Sequence, residues 1–210
     1  MDRALRLVTE VRAGEGPTAL LLAVNVFMLL AAYSVIKPVR DSLIGAGAGA
    51  VVQAYLYGPI VVLLAVAVPI YGKIANRMPR RRLINVVTIF FAANLALFYV
   101  LFSFGMSLSA QGIVFFLWGS IFNVMIVAQF WGFANDIYTP EEGERLFPIV
   151  AFGATSGAVA GSLISRGVIS VMGVYPPLLL AAVILVASLL ITHLVDRRER
   201  APRKPICPTP

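Results

Sequence analysis

TALLLAVNVFMLLAAYSVIK, residues 18–37, carries no charged side chain before Lys37. A helix needs about 20 apolar residues, at a rise of 1.5 Å each, to cross the roughly 30 Å hydrocarbon core of a bilayer. The stretch meets that length, and its apolar residues lie on every face of a helix instead of on one stripe. It reads as a membrane span.

Blocks of the same kind follow at 53–73, 83–104, 110–135, 147–171 and 175–195. Between them lie a Gly/Ala-rich break at 45–50, a basic segment at 74–82, a brief turn over 105–109, an acidic segment at 136–146 and a Gly-Val-Tyr-Pro-Pro turn at 173–177. The expected fold is an all-α membrane protein with six transmembrane helices. It divides into a segment 1–17, a six-helix domain 18–195 and a basic, Pro-rich tail 196–210. Composition agrees: 60% of the residues are hydrophobic and 13% charged, against about 25% charged in a soluble domain. The mean hydropathy is +0.89.

The first block is too long for the apolar region of a signal peptide and lacks an A-x-A cleavage site, so it is expected to be retained. The net charge of +7 does not point to nucleic acid, because the cations sit between spans and in the tail. Arg3, Arg6 and Arg12 precede the first span; Lys73, Arg77, Arg80, Arg81 and Arg82 follow the second; Arg145 follows the fourth; and five more cations lie in the tail. All of these fall on one side of the membrane, leaving only Lys37, Arg40 and Arg166 on the other. The positive-inside rule then makes both termini cytoplasmic. Orientation therefore gives no reason for the cations in YSVIKPVRDSL, residues 33–43.

On a helix Tyr33, Lys37, Arg40 and Asp41 share one broad face, with Pro38 distorting the turn between them. Lys37 and Asp41 are spaced to pair. Two readings stand: the cations snorkel to the interface while Pro38 ends the helix, or they face a water-filled path and bind an anionic solute.

Gly153, Gly157 and Gly161 recur every four residues in GATSGAVAG of the fifth span. Such a stripe lets another helix approach closely, with a substrate path along it as the alternative. In residues 128–149, Thr139, Pro140 and Glu142 read as a capping box, which predicts a short helix on the cytoplasmic surface. Asp136 and the glutamates beyond it stand against the basic 73–82 loop as a latch, or else as a solvated charged loop. Cys207 and His193 are the chain's only cysteine and histidine, so no Cys/His metal site or disulfide is expected. No cofactor is expected either, and no HExxH or membrane aspartate pair suggests an enzyme.

GKIANRMPRRR, residues 72–82, resembles the loop between the second and third helices of the major facilitator superfamily, with Asn76 where that loop has an acid. YSVIKPVRDSLI resembles the first-helix segment of nucleotide transporters of the ATP/ADP translocase type. LWGSIFNVMIVAQFWGFANDIYTPEEGERLFPIVAFGA, residues 117–154, resembles their fourth-to-fifth helix segment. The resemblance implies a half bundle of the major facilitator type and alternating access between two six-helix halves. It also implies a place in a bacterial inner membrane and an anionic substrate, either a nucleotide or another phosphorylated or anionic solute. The implied substrate contacts are Lys37, Arg40, Asp41 and Thr155; Arg77, Arg81, Trp118, Trp131, Asn135, Asp136 and Arg145 would be gating or structural. Phe116 and Thr155 stand where the family has a glutamate and an asparagine, so exchange of ATP for ADP is not implied. The partners expected are the bilayer, the anionic solute, and a second copy or a separate six-helix half. The alternative is a truncated or non-transporting six-helix module.

Overall fold

The computed structural model describes residues 16–137 and 140–199. These residues form six long helices and no strand: α1 Gly16–Gly47, α2 Gly49–Arg77, α3 Arg80–Ser103, α4 Leu108–Ile137, α5 Pro140–Met172 and α6 Pro176–Glu199. All six are long and apolar enough to cross a membrane. The described residues are those of a six-span, all-helical membrane protein.

Every helix is longer than the apolar block that announces it. At 32 residues, α1 is roughly 48 Å long and continues ten residues past Lys37 with Pro38 inside it. The reading in which Pro38 ends the helix is thereby corrected. Proline removes one backbone donor, but Val35, Val39, Leu43 and Ile44 on both sides of it are buried and keep the axis in place. The Gly/Ala-rich break shrinks to Ala48, followed by Gly49 at φ +81°, a conformation glycine adopts without strain. The short surface helix expected near residue 140 is likewise corrected: Pro140 opens α5, which runs unbroken through Pro148. Thr139, Cys207, Arg3, Arg6, Arg12, Arg200 and Arg203 lie outside the described residues, as do the side chains of Glu142, Arg197 and Arg198.

The bundle is organised around α1, which packs against α5, α6 and α4. Its contact with α5 is parallel and in strict register. A Cβ placed on Gly153 would meet the backbone of Ala23; on Gly157 it would stand 2.8 Å from Phe27 Cα, and on Gly161 2.9 Å from Ala31 Cα. One turn further, Ser165 Oγ donates 2.8 Å to Val35 O, continuing the offset of 130 residues. Among the described residues, the close backbone contacts then pass to α4. A Cβ on Gly112 would lie 2.6 Å from Leu43 O; at Gly119 the neighbour is a side chain, with a Cβ there 3.2 Å from Arg40 Cδ. Small residues allow these approaches, and dispersion between the backbones holds them in a lipid environment.

Between α3 and α4 the core is aromatic. Phe115, Trp118 and Phe122 share one face of α4, with Trp118 nearly parallel to Phe122 at 5.3 Å and to Phe115 at 5.5 Å. Phe91 and Phe98 meet Trp118 edge-on from α3. By contrast α2 is peripheral, with Ile60 its one buried residue among those described.

Candidate functional site

An open groove of about 630 Å³ runs between α1 and α5. Lys37, Pro38 and Asp41 form its α1 wall; Thr155, Ala158, Val159, Ser162, Leu163 and Arg166 form its α5 wall. The 130-residue register sets Arg166 level with Ile36, beside Lys37. Thr155 lies eleven residues below Arg166, roughly 16 Å along the axis. The groove therefore has a charged end and a neutral, mostly apolar floor.

The four residues expected to contact substrate divide. Lys37, Asp41 and Thr155 line the groove, and Arg40 does not. Arg40 Nε and Nη2 both donate to Asp41 Oδ1, at 3.0 and 2.9 Å. The guanidinium also sits over the Phe116 ring, 5.0 Å from its centroid. The expected Lys37–Asp41 pair is thus replaced by an Arg40–Asp41 pair. The reason is angular. Positions 33 and 40 nearly eclipse each other on a helix, whereas 41 lies about 100° further round. Tyr33 and Arg40 accordingly turn toward α4, where Tyr33 meets Phe122 at 6.4 Å, and Lys37 and Asp41 turn toward α5.

Arg166 and Ser162 are groove residues that sequence reasoning missed. Arg166 falls among the few cations of one membrane face, and the spacing of Thr155, Ser162 and Arg166 on α5 places all three on one side of that helix. Among the described residues neither Lys37 nor Arg166 has an ion-pair partner. Asp41 is neutralised by Arg40, so two cations in one groove lack a counter-charge. The hydroxyls below them are oriented. Thr155 Oγ1 donates to Ala151 O at 3.0 Å and Ser162 Oγ donates to Ala158 O at 2.9 Å. What they can offer a ligand is lone pairs. The arrangement suits a solute with an anionic group at one end and hydroxyl or amino donors toward the other.

The remaining candidates lie away from the groove. Trp118 is central to the aromatic core, its Nε1 buried without a hydrogen-bond partner. Trp131 packs edge-on against Phe130 at 5.5 Å and Phe147 at 5.3 Å. Arg81, Asp136 and Arg145 each have an interaction partner, while Arg77 and Asn135 are exposed at helix ends. Gly153, Gly157 and Gly161 face α1 and are closed to any solute by its backbone. No group of three or more potential metal ligands occurs among the described residues.

No curated protein and no solved structure matches the chain. Residues 107–174, about a third of the sequence, are similar to the family described as TLC ATP/ADP transporter, a segment that comprises α4, α5 and the whole α5 wall of the groove.

Proposed function

We propose that this protein is a membrane transporter, or the six-helix half of one, that moves an anionic solute of the nucleotide class through the α1–α5 groove by alternating access. The observation that carries the reading is the pair of uncompensated cations, Lys37 and Arg166, facing one groove. The similarity of residues 107–174 to an ATP/ADP transporter family supports it. Phosphate oxygens would be held by Lys37 and Arg166 through charge-assisted hydrogen bonds. Sugar or base donors would meet Thr155 and Ser162.

The groove is open along one side, so a transport path needs a further wall. A second six-helix unit, either another copy or a separate half, would supply it and rock against this one as in the major facilitator arrangement. Both termini would be cytoplasmic, with the charged end of the groove toward the outer face of a bacterial inner membrane. Substrate would bias two conformations by binding them unequally, without covalent chemistry.

The test is uptake of labelled nucleotides into liposomes, with a thermal-shift series of ATP, ADP, AMP, adenosine and inorganic phosphate on the purified chain. A ligand that binds the folded state raises the melting temperature by an amount that grows with the logarithm of its concentration relative to Kd. Stabilisation by phosphorylated ligands but not by adenosine is the expected result. Equal response to all, or to none, would reject the reading.

A further inference from the structure

A second cluster of polar groups lies inside the bundle and shares no residue with the groove walls. Asn25 of α1, Thr88 of α3, Gln129 of α4, and Ser188 and Thr192 of α6 surround a cavity of about 10 Å³. All five are buried. Asn25 Nδ2 donates to Ser188 O at 3.1 Å and to Thr192 Oγ1 at 2.9 Å. Gln129 Nε2 donates to Thr88 Oγ1 at 3.0 Å, while Gln129 Oε1 is buried with no donor.

The direction of the hydroxyl hydrogens decides what the cavity asks for. Ser188 Oγ donates to Leu185 O at 2.7 Å and Thr192 Oγ1 donates to Ser188 O at 3.1 Å. Both hydrogens are therefore turned back into α6, and the oxygens present lone pairs. With Gln129 Oε1 they make an acceptor-rich hollow. Turning the Gln129 amide over would exchange the orphan for an N–H but would still leave one. No carboxylate lines the cavity, so a cation there would be an uncompensated buried charge. The space matches the roughly 10–15 Å³ required by the centre of one water molecule, and the polar partners it needs are in place.

We infer that one internal water occupies this cavity, donating to Gln129 Oε1 and to a hydroxyl oxygen of α6, and so joins α4 to the hydrogen-bonded α1–α6 pair. It is a neutral, hydrogen-accepting site that shares no residue with the anion groove.

The experiment is a density map of the full chain in nanodiscs at a resolution that shows ordered water, recorded in sodium and in potassium buffer. One feature about 2.7–3.2 Å from the Gln129 amide, the same in both buffers, is expected. Thermal midpoints in sodium, potassium and choline chloride should also coincide. An empty cavity would overturn the inference, as would a midpoint raised by sodium alone, which would mark a metal site. Gln129→Met adds a test by sign. It removes a hydrated amide and should lower the midpoint by about 2–4 °C, whereas a dry, orphaned amide would give a rise. If that variant fails to fold, the maps of the unaltered chain still decide.

Discussion

Arg40 stands over the ring of Phe116, its guanidinium carbon 5.0 Å from the centroid, while its Nε and Nη2 hold one oxygen of Asp41. Phe116 occupies the position where the resemblance to nucleotide transporters places a glutamate. A carboxylate there would compete with Asp41 for the guanidinium. With a phenyl ring instead, the attraction is of cation–π type, about 0.5–2 kcal/mol, and Arg40 remains free to neutralise Asp41. The substitution thus bears directly on the charge of the groove, because Asp41 lines it and Arg40 does not.

A double-mutant cycle separates this positioning role from direct contact. Arg40→Gln leaves Asp41 as an unpaired negative charge at the groove and should weaken phosphate-ligand binding several-fold. Adding Asp41→Asn should restore most of the affinity, since the groove then recovers its net charge. If Arg40 itself bound the anion, the second change would not rescue. Ligand titration by thermal shift on the four proteins measures the coupling.

The proposed direct contacts are the other two cations, Lys37 and Arg166. Lys37→Gln and Arg166→Gln should each reduce affinity for a phosphorylated ligand about tenfold, the loss of about 1.4 kcal/mol. Arg166→Lys should recover only part, because the ammonium lacks the bidentate fork. Both variants should retain the wild-type melting temperature without ligand, since neither side chain is ion-paired among the described residues. Unchanged affinity in Lys37→Gln would remove the groove from the transport path.

The six spans and the small-residue stripe were legible in the sequence because length and four-residue spacing are local properties. The helix ends were not. Lys37, Arg40 and Asp41 looked like the close of a span, yet the helix carries them outward on contacts that only the fold supplies, such as Leu43 and Ile44 against Gly112. The groove was half legible: Lys37, Asp41 and Thr155 were found from motif positions. Arg166 was not, because its neighbour Lys37 is set by the parallel α1–α5 register, and no local pattern encodes that register. The turn of Arg40 away from the groove depends likewise on Phe116 and Gly119 of another helix.

That register is itself testable through two glycines of α5. A Cβ on Gly157 would collide with the backbone of Phe27, whereas one on Gly167 would meet nothing within 4 Å. Gly167→Ala should therefore stabilise slightly, by about 0.4–1 kcal/mol, through helix propensity and reduced freedom of the unfolded chain. Gly157→Ala should destabilise despite the same propensity gain, and Gly157→Leu should abolish the native peak in size-exclusion chromatography. Equal melting temperatures for the two alanine variants would contradict the close approach of α1.

Trp118 offers a test in which a buried polar group is removed while most of the aromatic contacts are kept. Its ring stacks on Phe115 and Phe122, and its Nε1 is buried with no acceptor. An unmet buried donor costs about 1–3 kcal/mol, while the stacked and edge-on pairs contribute about 0.5–1.5 kcal/mol each. Trp118→Phe keeps most of the aromatic contacts, discards the orphan donor and loses some volume, so these effects should nearly cancel. A melting temperature within about 4 °C of the parent is expected. Trp118→Ala loses the contacts and leaves a void, a change of about 3–5 kcal/mol, and should lower the melting temperature well beyond that range. If Trp118→Phe were as damaging as Trp118→Ala, the indole N–H would have to be engaged in a hydrogen bond, and the aromatic stack would not be the main role of this residue.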